Sequence, residues 1–248
     1  MIVSALAIAP VKGMRVQPAD ALELGPTGAA GDRRFVVIGE DGALLLSTRT
    51  PTLLQIVPRL TGGSLRLEFP DGSIVEAVPE PGRRVTSANY AGRPLPGRIV
   101  EGTLSDAVAE HLGRPARLLM LDPGARGADD APVTLASTAS LTALAPALDG
   151  AVPDPRRFRM TVTVDGASAW EEHGWSDQEI AVGDAVLRAT APVGRCVVTT
   201  RDPDTGATDV PTLKALAELR GKDDVTFGIW CDVVAPGRVA VGDALAVR

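Results

Sequence analysis

The stretch Gly194-Arg195-Cys196-Val197-Val198-Thr199-Thr200-Arg201-Asp202-Pro203-Asp204-Thr205-Gly206 carries the most reactive group in the chain. A thiolate at Cys196 is a soft ligand, suited to zinc, copper(I), iron–sulfur or a heavier thiophilic metal. The guanidinium of Arg195 beside it favours the thiolate form. The competing reading is an inert free cysteine that behaves as a small hydrophobe. The β-branched run Val197 to Thr200 predicts a strand. Asp202 to Gly206 predicts the turn that ends it.

The elements that must position this thiol are mostly strands. Ile2 to Ala9 alternates loosely up to Pro10 and reads as one. Phe35 to Gly39 and Leu44 to Leu46 flank an Asp41-Gly42 turn and predict a hairpin. Leu65 to Phe69 and Ile74 to Val78 predict another. Residues 79–96, rich in Pro, Gly and Arg, read as loop and short strand. Leu104 to Leu112 is a short helix, capped by Thr103 or Ser105 and stopped by Gly113. Arg117 to Leu121 is strand-like. Residues 122–132 form a Gly/Ala/Asp-rich loop, a linker or flap candidate. Ser137-Thr138 caps a helix from Ala139 to about Leu148, and such a helix start can also bind anions. Arg156 to Val164 reads as a strand entered through arginines. Val182-Gly183-Asp184-Ala185 recurs as Val241-Gly242-Asp243-Ala244, which predicts two matched hairpins suited to a β-barrel. Pro211 to Leu219 is a helix followed by Gly221. Phe227 to Val234 is a buried strand, with Cys231 in the core. The many short strands between Gly, Asp and Pro turns predict a mainly β (α+β) fold.

Composition narrows the function. The 248 residues are 45% apolar, enough for a sizeable core. The net charge of −6 argues against nucleic acid as the main partner. Two cysteines make no disulfide framework. No apolar run reaches membrane-spanning length. The first nine residues lack a charged leader and a cleavage site. The expectation is a cytoplasmic protein that does not engage a membrane. There is no Gly-x-Ser-x-Gly elbow, no Walker loop and no dinucleotide fingerprint. A zinc site would need both histidines and both cysteines from unrelated places. The loop from Asp202 begins like a calcium loop, but its glycine comes one position early.

Arg195-Cys196, a β-branched run and Asp-Pro-Asp-Thr-Gly resemble the cofactor loop of MOSC-domain proteins. That family includes the mitochondrial amidoxime-reducing component and the C-terminal domain of molybdenum cofactor sulfurase. Other parts of the resemblance follow in order. They are Pro10-Val11-Lys12-Gly13, Gly31-Asp32-Arg33, Thr48-Arg49 with Pro51-Thr52-Leu53, Ser137 and its helix start, Arg157-Phe158-Arg159, and the closing Val241-Gly242-Asp243. The chain departs from the family at Met160 for proline, Thr161 for asparagine, His173 for aspartate, and Val193 where some members have a second cysteine.

The resemblance implies an N-terminal mixed β-rich domain over 1–98, packed with a C-terminal MOSC β-barrel over 99–248. It implies a molybdenum–pyranopterin cofactor, with Cys196 as metal ligand and catalytic residue. Lys12, Arg33, Arg49, Ser137, Arg159 and Arg195 would then hold the cofactor. Read from the residues alone, Lys12 is a solvated surface lysine, Arg33 and Arg49 are strand-end arginines in water, Ser137 is a helix cap and His173 a loop histidine. The implied reaction reduces N-hydroxylated or N-oxygenated small molecules. With no iron–sulfur cysteine set and no dinucleotide fingerprint, electrons would come from a separate flavin or iron–sulfur reductase. Two other readings share the site: a sulfur carrier using a Cys196 persulfide, and a non-catalytic cofactor-binding protein.

Overall fold

Ile2–Ile8 shows how the strand pattern becomes the fold. Val3, Leu6 and Ile8 face inward, and the break in their alternation coincides with a bulge between Val3 and Ala5. The computed structural model describes residues 1–248. It is mainly β, arranged as four open sheets.

The largest sheet has eight strands. Their spatial order is Leu245–Val247, Glu179–Val182, Ala185–Gly194, Thr226–Ala235, Val133–Ser137, Val162–Asp165, Ile2–Ile8 and Gln17–Ala19. Only Val133–Ser137 and Val162–Asp165 run parallel, with Leu135 opposite Val162. Val133–Ser137 is buried throughout, and Leu135, Val162, Ile229 and Cys231 meet in the core beneath the sheet.

The expected barrel does not close, because two short segments share the outer edge of the first strand. Leu6 to Ile8 pair with Gln17–Ala19. Met1 and Val3 instead bond to residues 242–245: the Val3 N–H donates to the Asp243 carbonyl at 2.9 Å, and the Leu245 N–H to the Met1 carbonyl at 2.9 Å. The sheet curls back on itself without a continuous ladder.

A four-stranded sheet has the order Phe35–Gly39, Ala116–Leu121, Pro94–Glu101, Glu80–Ala88. The helix Thr103–Leu112 and the sheet Val57–Thr61, Ser64–Glu68, Ile74–Ala77 enclose a second core with it, around Phe35, Leu53, Leu67, Leu104 and Leu118. No helix is long and apolar enough to cross a membrane.

Several expected elements differ, each for a local reason. Val197–Thr200 is a 3-10 turn rather than a strand, because its hydroxyls bond backward along the chain. Thr199 Oγ1 donates to the Cys196 carbonyl at 3.1 Å, and Thr200 Oγ1 to the Val197 carbonyl at 2.7 Å. Residues 79–96 hold a long hairpin, not a loop. Pro94 and Pro96 are tolerated because the ladder to Ala116–Leu121 starts only at Gly97. The helix after Ser137 stops at Thr142, and a separate 3-10 turn, Ala145–Ala147, carries Pro146. Leu44 keeps a single bridge to Ile38 in place of a strand. Neither Thr103 nor Ser105 caps its helix; Ser105 Oγ donates instead to the Val100 carbonyl at 2.5 Å and accepts from the Leu118 N–H at 3.0 Å. The strand expected from Arg156 begins only at Val162, after a 3-10 turn at Pro155–Arg157. The second Val-Gly-Asp-Ala repeat is no hairpin. Gly237–Ala240 pairs with Ala21–Gly25, whereas Leu245–Val247 pairs with Glu179–Val182.

Candidate functional site

Cys196 stands just past the end of Ala185–Gly194, in extended conformation, with its thiol side exposed. It opens into a cleft of about 490 Å³. Lys12, Arg33, Arg157, Arg159 and Arg195 line the same cleft, so five cations from four separate segments gather there with the thiol.

Each cation is placed differently. Lys12 follows Val11, which bridges Phe35, and its backbone N–H donates to the Phe35 carbonyl at 2.8 Å. Its Nζ donates to the Gly127 carbonyl at 2.9 Å and to Asp129 Oδ1 at 2.6 Å. Burial pushes the Lys12 ammonium below its ordinary range, against the pull of Asp129. Arg33 and Arg159 both adopt left-handed backbone, with φ of 46° and 56°. Non-glycine residues are held there only where the surroundings demand it, often at functional sites. Arg33 pairs with Asp32, whose other oxygen accepts from the Ala9 N–H at 2.7 Å. Arg159 Nη1 donates to the Met14 carbonyl at 2.6 Å. Burial, then the nearby charge of Arg33, pushes Arg159 down to about 10.

Arg195 has a different part. Its guanidinium lies against the rings of Phe158 and Phe227, 5.6 Å from each centroid. It donates to the carbonyls of both residues, and Nη2 also approaches the Met160 sulfur at 2.8 Å. Burial pushes it down to about 9. It ties the residue before Cys196 to the backbone of Phe158 and Phe227.

Two of the predicted residues are not brought to the cleft. Arg49 is exposed on the turn after Leu46. Ser137 is buried as the cap of its short helix, its Oγ accepting from the Ser140 N–H at 3.0 Å. The carboxyl of Glu172 already fills that helix start, accepting from Ser140 Oγ at 2.9 Å and Ser137 Oγ at 3.2 Å. Burial raises Glu172 above the ordinary carboxyl range, and the serine hydrogen bonds oppose this.

The residues that depart from the family pattern have structural places. Thr161 bonds to Thr134, which lines the cleft, through its N–H at 2.9 Å. Val193 is buried in the cleft wall. His173 is outside the cleft, edge-on to Trp170 at 5.8 Å, and burial pushes it down to about 4.

The rest of the lining was not foreseen. Tyr90, Asp129, Asp130 and Trp230 stand in it. Tyr90 donates to Asp130 at 3.0 Å, so the tip of the 80–101 hairpin meets the 122–132 loop at the cleft's edge. The Gly/Asp composition of that loop was the one available signal.

The loop after Cys196 is held from several sides. Asp202 Oδ1 accepts from the N–H groups of Asp204 and Thr205 at 3.0 and 2.7 Å. Arg156 pairs with both Asp204 oxygens at 2.8 and 2.9 Å. Arg15 donates to the Asp204 carbonyl at 2.6 Å and Gln55 to the Thr205 carbonyl at 2.9 Å, tying the loop to the N-terminal half.

The arrangement joins a reachable soft donor to a cation-rich wall. No three His, Cys, Asp or Glu side chains gather into a metal-ligand set, which leaves Cys196 the soft donor of the cleft. Such an arrangement could hold an anionic group that carries a thiophilic metal.

Family models match at both ends of the chain: a MOSC domain over residues 122–246 and a MOSC N-terminal beta barrel domain over 1–111. The chain belongs to the MOSC family. Among curated relatives of this MOSC protein, mitochondrial amidoxime-reducing component 1 of Xenopus laevis is 28% identical over 98% of the chain and 80% of the relative. Mitochondrial amidoxime reducing component 2 of Rattus norvegicus is 27% identical over 94% and 78%. Among solved structures, the YuaD protein of Bacillus subtilis covers 99% of this chain and 94% of its own, with 13% identity and a TM-score of 0.49.

Proposed function

We propose that this MOSC protein is a molybdenum–pterin-dependent reductase of N-hydroxylated or N-oxygenated small molecules. The observation that carries the reading is the exposed Cys196 thiol in a cleft walled by Lys12, Arg33 and Arg159. The amidoxime-reducing names of its relatives supply the reaction class.

The residues fit the cofactor. Lys12 and Arg159 are cations pushed down by burial and crowded by Arg33, so a bound anion relieves both costs. Cys196 suits a soft metal. When bound, the cofactor would supply two-electron oxygen-transfer chemistry. The chain's own part would be to ligate the metal through Cys196 and to hold the cofactor's anionic groups through Lys12, Arg33 and Arg159. Arg195 keeps the strand end in place. Tyr90 and Trp230 offer flat apolar surface to a planar substrate. A separate flavin or iron–sulfur protein would deliver the electrons.

The test is metal analysis and turnover of protein made in a host that synthesises the cofactor. Near one molybdenum per chain, with reduction of an aryl amidoxime that needs an added reductase, supports the proposal. Cys196→Ser should lose both metal and turnover while keeping its circular dichroism. A Cys196 persulfide in molybdenum-free protein would overturn it in favour of sulfur transfer.

A further inference from the structure

A second, much smaller pocket shares Arg157, Arg159 and Val198 with the cleft. Five arginines line it: Arg15, Arg156, Arg157, Arg159 and Arg201. The rest of its lining is apolar, including Val16, Leu54 and Pro203. Its volume of about 10 Å³ holds one water-sized sphere.

The charges around it do not balance. Arg15 and Arg156 share Asp204, Arg156 also holds Asp154, and Arg157 pairs with Asp209. Arg159 and Arg201 have no carboxylate partner. Arg159 donates to the Met14 carbonyl, and Arg201 to the carbonyls of Gly206 and Thr48. Two donors are left over. The Nε atoms of Arg157 and Arg201 are both buried without an acceptor, and the Arg157 side chain is only 5% exposed. Orphaned buried donors on charged groups are costly.

We propose that this pocket binds a single halide ion, chloride under ordinary conditions. The two unspent buried donors and the two guanidinium charges without a carboxylate favour an anion over a water, which brings no compensating charge. A halide only accepts. Phosphate, with four oxygens around its phosphorus, is several times too large. The halide joins Arg157 and Arg159, on the segment before Val162–Asp165, to Arg201, on the loop that follows Cys196. It therefore braces the thiol's loop. The pocket shares Arg159 with the cofactor reading, so its test uses cofactor-free protein, where no other anion engages that arginine.

Thermal unfolding is measured at constant ionic strength while gluconate is replaced by chloride or bromide. The expected result is a saturable rise in midpoint of about 2–6 °C with either halide. Inorganic phosphate should give no such rise. Arg201→Gln should abolish the halide response. Crystals grown in bromide should show one anomalous peak within hydrogen-bond reach of Arg157 and Arg201. That peak tests the wild type directly, should the variant fold poorly. Superimposable curves in chloride and gluconate, or a bromide map empty at this pocket, would overturn the proposal. So would a phosphate gain that Arg201→Gln removes.

Discussion

Gly206→Ala tests whether the loop after Cys196 is locked against the N-terminal half. Gly206 has φ of 76°, and an added Cβ would lie 2.5 Å from the Pro51 carbonyl oxygen and 3.0 Å from its carbon. The left-handed backbone alone costs about 1–2 kcal/mol for alanine. Relieving the clash requires one backbone to shift by several tenths of an ångström. That strains the Gly206 N–H to Asp202 carbonyl bond of 2.9 Å and the Gln55 to Thr205 bond of 2.9 Å. At about 0.5–1.5 kcal/mol net for each bond, the total is about 2–5 kcal/mol. For a chain of this size the unfolding midpoint should fall by about 4–20 °C. Gly124→Ala is the control. Its φ is 84°, yet nothing lies within 4 Å of its Cβ position, so it reports the backbone cost alone. Differential scanning calorimetry of both variants isolates the contact between the loop and Pro51. If Gly206→Ala lost no more stability than Gly124→Ala, the interlock would carry no energy and the reasoning would fail.

Thiol labelling of the native protein should modify Cys196 and spare Cys231. Cys231 is fully buried and pushed up to about 12, so roughly one molecule in ten thousand is thiolate at pH 8; Ellman's reagent should count one thiol before unfolding and two after. His173 should make the fold acid-sensitive. Its folded value near 4 lies below the unfolded 6.5, so the stability it contributes is complete above pH 6.5 and is lost as pH falls toward 4. The effect is at most about 3 kcal/mol, less for its partial exposure, and His173→Phe should flatten the urea midpoint between pH 7 and pH 4. Glu172 has the opposite sign. A buried carboxyl raised above 4.5 stabilises least once pH exceeds its folded value, so Glu172→Gln should gain on wild type at pH 8 and lose that gain near pH 4 in the same titration.

Much of the fold was legible because it rests on local rules. Alternation marked Ile2–Ile8, and Gly113 and Gly221 stopped their helices. Threonine resisted such reading. In Val197–Thr200, β-branched residues favour a strand, but two hydroxyls beside free carbonyls favour a turn, and the turn wins. Strand partners were equally hidden. The repeat at Val241 looks like the one at Val182, but its flanking strands join two different sheets. At the cleft, Lys12, Arg33, Arg159 and Cys196 were visible through family resemblance. The left-handed backbone that aims Arg33 and Arg159 was not, because neither residue type signals it. Ser137 was legible as a cap, and its carboxyl partner Glu172 lies 35 residues away. Tyr90 and Trp230 reach the cleft only through tertiary pairing, which no spacing encodes.

The split edge of the first strand bears on how the chain is made. Ile2–Ile8 leaves the ribosome early, yet its long neighbour is Val162–Asp165, and its opening residues wait for 242–245. At about 5–20 residues per second, the wait for Val162 alone is about 8–30 s. Throughout that interval Ile2–Ile8 has only the short segment Gln17–Ala19 as a sheet partner, and the edge that later meets Val162–Asp165 stays open, an invitation to aggregate. The cleft is later still, since Trp230 lines it. The walls of the cleft are complete only once synthesis has passed that residue, so under the proposed function a cofactor would be gripped only near the end of translation or after it.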